Sequence, residues 1–263
     1  MNKISMNTKI IGYLIVMSCL MIFGCSDGNK GLEVKLLNKE LYAYCPEKDC
    51  KSINHKFLDE NYEFSSNNLI KFSITNHDNF SYVFLPHVNN HLNYEYPFKK
   101  SFSNKVINLD LGNFIFRDSS ENVVEGYHIS SHGRKIAYEY QKFMDSIVDS
   151  YYDNLGYSGK SPKWRFINSQ YSNRALIIHP KEILFFETVI NLPINGSIAN
   201  ADLERVLLNR KQNYKVQLRF KPEVKKIENW LTESQSRSFK ENNYQFYNKE
   251  LISSNEVDLI FKE

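Results

Sequence analysis

Two histidine pairs share one spacing: His87 and His91 in PHVNNH, and His128 and His132 in YHISSHG. On a helix, positions i and i+4 face the same side, and two imidazoles so placed can hold one zinc ion. The zinc-hydrolase pattern adds a glutamate directly after the first histidine as general base. Val88 and Ile129 occupy those places. The flanks also disfavour a helix, since His87 follows Pro86 and His132 precedes Gly133. We read all four as loop histidines and expect no metal and no cofactor; the competing reading is a composite four-histidine site. Other chemistries leave no local signature. No GxSxG elbow, GxxxxGK[ST] loop or GxGxxG turn occurs. The scattered Asp and Glu residues do not single out a glycosidase pair. Tyr94-Glu95-Tyr96 and Tyr151-Tyr152 offer ring faces that stack on sugars, or that pack in a core. No catalytic residue is assigned.

The elements that would position such groups are mostly strands. Phe (18) and Tyr (17) are abundant and favour strands. In residues 69–76 the positions Ile70, Phe72 and Ile74 alternate with Leu69, Lys71, Ser73 and Thr75, the pattern of a half-buried strand. A polar turn at 76–79 and a second strand at 80–85 suggest a hairpin. Further strands are expected at 32–44, 105–117, 175–179, 183–190, 214–220, 244–247 and 257–261. One long amphipathic helix is expected at 135–155. Ile136, Tyr140, Phe143, Met144, Ile147, Val148, Tyr151 and Leu155 form its apolar stripe, which we expect to lie on a sheet, and Gly156 ends it. Residues 157–164 read as a loop. The fold class expected is mainly β, an antiparallel β-sandwich. The run IKFSITNHDNFSYVFLP is similar to immunoglobulin-like sandwich modules of bacterial envelope proteins, a resemblance over roughly twenty residues that carries no functional side chains.

The N-terminus carries an address. Lys3 and Lys9 precede an uncharged run, IIGYLIVMSCLMIF, too short to span a bilayer as a helix and long enough for a signal-peptide core. The run closes on Ile22-Phe23-Gly24-Cys25, which resembles the lipobox of bacterial lipoprotein signal peptides. The resemblance implies removal of 1–24 and lipid on Cys25; residues 25–31 read as a tether, and the strand candidates on both sides of the helix are expected to form a single β-rich domain over 32–263. Ser26, where an acidic residue would signal inner-membrane retention, implies the outer membrane of the cell envelope. An ordinary signal cut after Gly28 and an uncleaved anchor are the alternatives. Cys19 leaves with the signal and Cys25 takes the lipid, so Cys45 and Cys50 in CPEKDC remain to pair as a disulfide; free thiols, a metal or redox chemistry are the other readings.

Charge adds one exclusion. The chain has 33 basic and 30 acidic residues, and losing Lys3 and Lys9 with the signal leaves 31 against 30. So even a balance offers no electrostatic footprint for nucleic acid. The expected function is that of a membrane-anchored envelope lipoprotein with a non-catalytic binding or structural role, its partner an envelope protein or glycan. The alternatives are an envelope hydrolase with a non-local active site, or an accessory, toxin-neutralising subunit of a larger complex.

Overall fold

Alternation builds the longest strands. The structure, a computed structural model, describes residues 31–44, 66–86, 107, 109–130, 134–197, 202–222 and 226–262. In β3 (Ser66–Asn76) the even positions from Asn68 to Asn76 are buried, while Leu69 and Lys71 face outward. β3 pairs antiparallel with β1 (Leu32–Leu36) on one side and β9 (Ile183–Leu192) on the other. A larger sheet runs in the order β2 (Glu40–Tyr44), β15 (Val257–Lys262), β12 (Tyr214–Phe220), β5 (Phe114–Asp118) and β6 (Val123–Glu125), with β14 (Leu251–Ile252) also on β12. The inward faces of both sheets join one hydrophobic core. Phe72 of β3 stacks on Phe186 of β9 with centroids 5.0 Å apart and meets Phe220 of β12 at 5.5 Å. Each such ring contributes about 1.5–3 kcal/mol by leaving water. Leu32–Glu263 forms one compact unit.

The chain is mainly β, as expected, with the strands at 183–190, 214–220 and 257–261 close to their expected limits. Several details differ. The sheets are mixed rather than purely antiparallel: β15 pairs parallel with β2, and β13 (Gln245–Phe246) pairs parallel with β4 (Tyr82–Phe84). The expected strand at 32–44 is two strands in two sheets. The expected hairpin at 69–85 is absent, because β4 pairs with β8 (Leu176–Ile178) and β13 instead of β3. A further small sheet, β10 (Ile194–Ser197), β11 (Asp202–Arg205) and β7 (Tyr127–Ser130), completes the described strands.

There are also three α-helices among the described residues where one was expected. The long one, α1 (Arg134–Asn154), lies where the stripe placed it. It ends as Gly156 adopts φ +82° and the Tyr157 N–H reaches back to the Tyr152 carbonyl at 2.8 Å, closing the last turn. α2 (Pro162–Arg174) opens with Ser161 capping the Trp164 N–H and Pro162 in the first turn. α3 (Glu233–Glu241) opens with a reciprocal capping box between Thr232 and Gln235. Among the described residues no helix is long and apolar enough to cross a membrane.

At the corners between sheets the backbone has no ladder partner, and asparagine side chains take that place. An amide carries a donor and an acceptor in one plane, as a peptide does. Buried Asn68 accepts from the Tyr42 N–H at 2.7 Å and donates to the Tyr42 carbonyl at 2.8 Å, fastening β2 to β3. Asn255 does the same to both groups of Leu36, at 2.9 Å each. Asn38 accepts from the Lys71 N–H and donates to the Leu69 carbonyl. Asn76, fully buried, accepts from the Asp78 N–H and donates to the carbonyls of Phe80, Ile178 and His179. That last set turns the chain away from β3 and delivers β4 to β8, which is why the hairpin does not form.

Replacing Asn68 by leucine keeps its bulk and strands both polar groups of Tyr42 in the interior. Asn68→Leu should lower unfolding stability by about 2–4 kcal/mol, on the cost of unpaired buried groups. Asn38→Leu, at an exposed corner, should cost under about half of that. Urea unfolding of the two variants side by side measures the difference.

Candidate functional site

The C-terminal half of α1 packs on helix rather than on sheet. Val148 and Tyr152 of α1 and Trp164 of α2 form a second, small cluster, joined by Tyr157 and Trp230. Tyr152 and Trp164 meet edge-on at 5.6 Å, and Tyr157 stacks on Trp164 at the same distance. The expected sheet contact of the stripe is therefore not the one made here, and Phe143, Tyr151 and Leu155 stand exposed.

So small a cluster is supplemented by a polar joint. Arg165, buried at the start of α2, spends its guanidinium on the turn between the helices. It reaches the Asp149 carboxylate at 2.8 Å and the Asp153 carboxylate at 2.7 Å, and donates to the carbonyls of Ser158 at 2.8 Å and Lys160 at 3.2 Å. The planar five-donor fork suits this task, where a lysine would satisfy fewer partners.

A second network ties α3 to the pair. The Tyr152 hydroxyl donates to Asn168 Oδ1 at 2.8 Å. Asn168 Nδ2 donates to the Trp230 carbonyl and to Gln235 Oε1, each at 2.6 Å. Gln235 Oε1 also accepts the Thr232 N–H, and Gln235 Nε2 donates to the Ser172 hydroxyl at 2.9 Å. Asn168 is buried, and burial lifts the Tyr152 phenol above its ordinary pKa, so it remains a proton-bearing donor.

Between these elements lies a cleft of about 310 Å³. Helix α1 and the turn after it supply Tyr151, Tyr152, Leu155 and Tyr157. Helix α2 supplies Asn168, Ser169 and Ser172, and the start of α3 supplies Thr232, Ser234 and Gln235. The lining is neutral: rings, hydroxyls and amides. Its ionisable side chains are tyrosines.

Of the residues singled out in the sequence, Tyr151 and Tyr152 sit in this cleft. Cys25, Cys45, Cys50, His87, His91 and His132 lie outside the described residues. His128 belongs to strand β7 rather than to a loop, at the register position opposite Glu204 of β11. Among the described residues no group of three or more His, Cys, Asp or Glu side chains could hold a metal ion. Asn168, Ser172 and Gln235 were not anticipated. A local signal existed for one of them: Thr232 and Gln235 stand at capping-box spacing. No protein-family model, curated protein or solved structure matches the chain.

Arg165→Met should remove the joint while keeping a long apolar stem. It would leave two carboxylates unneutralised and the carbonyls of Ser158 and Lys160 without their donor. The expected loss is about 2–4 kcal/mol in urea unfolding. Amide exchange should rise along 157–161 ahead of the sheet residues, as a local opening does. A uniform rise across β3 and β12 would instead show that the joint supports the whole unit.

Proposed function

We propose that the protein is a lipid-anchored component of the cell envelope, held in the outer membrane through Cys25. Its folded domain binds rather than catalyses, and the cleft between α1, α2 and α3 receives a neutral saccharide unit of an envelope glycan. The observation that carries the reading is the chemistry of the lining. Sugar hydroxyls donate and accept together: the exposed Ser234 hydroxyl can do both, Gln235 Nε2 keeps a second hydrogen and Ser172 Oγ a lone pair, while Asn168, engaged within the protein, holds Gln235 and Tyr152 in place. The ring of Tyr151 is 38 % exposed and offers an apolar face to the C–H side of a sugar. The network fixing Asn168 and Gln235 orders the site before any ligand arrives, which lowers the entropy cost of binding. Glycoside hydrolysis places a carboxyl group on each side of the scissile bond; the groups in this lining are suited to holding a sugar without charge.

The strand orders β1-β3-β9 and β15-β12-β5 support an immunoglobulin-like reading of the two main sheets, with these strands in the places A-B-E and G-F-C. Such modules commonly serve as platforms for added binding elements, here the helices between β7 and β8 and between β12 and β13.

Anchorage is tested by growing cells with labelled palmitate. The wild-type chain should take up label and shift to the processed size, and Cys25→Ala should do neither. Equal labelling of both would remove the anchor. Binding is tested by titrating the full-length chain in detergent with maltotriose, mannobiose and N-acetylglucosamine oligomers. Trp164 and Trp230, the two tryptophans, border the cleft through Tyr157 and Asn168, so intrinsic fluorescence reports its occupancy. At least one sugar should give a saturable change with a dissociation constant of roughly millimolar order, about tenfold weaker in Tyr151→Ala. No saturable change with any sugar, or affinity unaffected by Tyr151→Ala, would overturn the reading.

A further inference from the structure

The outward face of the sheet β1-β3-β9 carries a set of apolar side chains that burial in the core does not explain. Phe185 is 68 % exposed, Val189 59 %, Ile183 50 % and Leu69 45 %. Isolated surface hydrophobics are ordinary, but a contiguous group on one flat sheet face marks a contact surface. The register fixes how they lie. Directly paired residues are Leu69 with Val189, Lys71 with Glu187, Ser73 with Phe185, and Thr75 with Ile183. The middle row is an ion pair, Lys71 Nζ to Glu187 Oε1 at 3.1 Å, with the apolar pair Leu69–Val189 on one side and, on the other, Phe185 and Ile183 of β9 beside Ser73 and Thr75 of β3.

We propose that this face is covered by a second copy of the chain, packed face to face about a twofold axis that runs parallel to the strands between β3 and β9. A symmetric dimer requires a surface complementary to itself, and this one meets that requirement about an axis along the strands and not about one across them. A twofold along the strands exchanges the two strands and keeps the row. Lys71 then faces the Glu187 of the other copy, and Glu187 faces its Lys71. Leu69 faces Val189. Phe185, the most exposed ring, faces Ser73, which is itself covered beside Lys35 and Phe185 of its own copy, so the ring packs on those covering side chains. A twofold across the strands would instead set Lys71 on Lys71 and Glu187 on Glu187, with Phe185 against Val189. The favoured axis also keeps the strands of the two sheets nearly aligned, the common geometry for stacked sheets.

The ion pair within each copy is exposed and contributes little to folding, so charge reversal tests the contact without unfolding the chain. Sedimentation of the full-length chain in detergent, at about 100 µM, where an interface of ordinary size is occupied, should give two chains per particle. Lys71→Glu surrounds the axis with four carboxylates and Glu187→Lys with four ammonium groups, and each variant alone should sediment as one chain. Mixing the two variants should restore two chains per particle, one of each kind, because every charge then meets its opposite. The double reversal K71E/E187K should dimerise like the wild type. Phe185→Asp should be a single chain in every mixture, with an unchanged far-ultraviolet spectrum showing that it folds. A wild-type chain that sediments singly would overturn the proposal and leave the face to another protein or to lipid. So would a dimer indifferent to both reversals, or single-reversal variants that fail to pair with each other.

Discussion

A backbone group taken out of water must find a hydrogen-bond partner, and this fold meets that constraint at its corners with asparagine side chains. Within a sheet the neighbouring strand supplies the partner. Where β1 gives way to β2, or β3 turns towards β4, the neighbour belongs to a different sheet and the ladder breaks off. Asn68, Asn255 and Asn76 continue it with their amides. Because these bonds join sheets rather than strands, they determine which sheets enclose the phenylalanine core and at what approach. A net contribution of about 1 kcal/mol per bond understates their importance, since each also spares a buried peptide group the cost of standing alone.

The helical annex follows the same logic on less apolar surface. Val148, Tyr152 and Trp164 cannot match the main core in buried area. Arg165 and Asn168 are therefore both buried and fully engaged, each satisfying several partners on other elements. One consequence is geometric sharpness. An apolar cluster tolerates sliding, whereas a guanidinium or an amide with fixed partners does not. A cleft bounded by such groups keeps its shape, and α3, which fully buries no residue of its own, is held by its capping residues at one end and by Phe239, stacked on Phe246 at 4.0 Å, further along.

Where alternation was strict, the strands were legible in the sequence: Tyr214–Phe220 lies at its expected limits, and Ile183–Leu192 runs only two residues beyond them. Helix α1 was legible from its stripe and from Gly156. Helix α2 was not, because the residues it buries include Arg165, Asn168 and Ser169, and a polar buried face has no apolar period. Its start was nevertheless written locally, in Ser161-Pro162. The parallel pairing of β2 with β15 joins segments from opposite ends of the chain, and no local rule detects that. The asparagines at 38, 68, 76 and 255 carry no local mark of their task, because the peptide groups they bind lie mostly far along the chain. The cleft was half legible. Tyr151-Tyr152 stood out as adjacent rings, but Asn168 and Gln235 acquire meaning only once folding brings them together.

The pairing of β15 with β2 also orders events in time. Asn255, just before β15, binds Leu36, 219 positions away. Closing so long a loop costs only a logarithmic increment in free energy, so the topology weighs on rate more than on stability. During synthesis from the N-terminus, β2 is completed early and waits with an open edge until the last strand emerges. For that interval the chain is exposed to mispairing, and its large sheet reaches its final order only when residues 257–262 arrive.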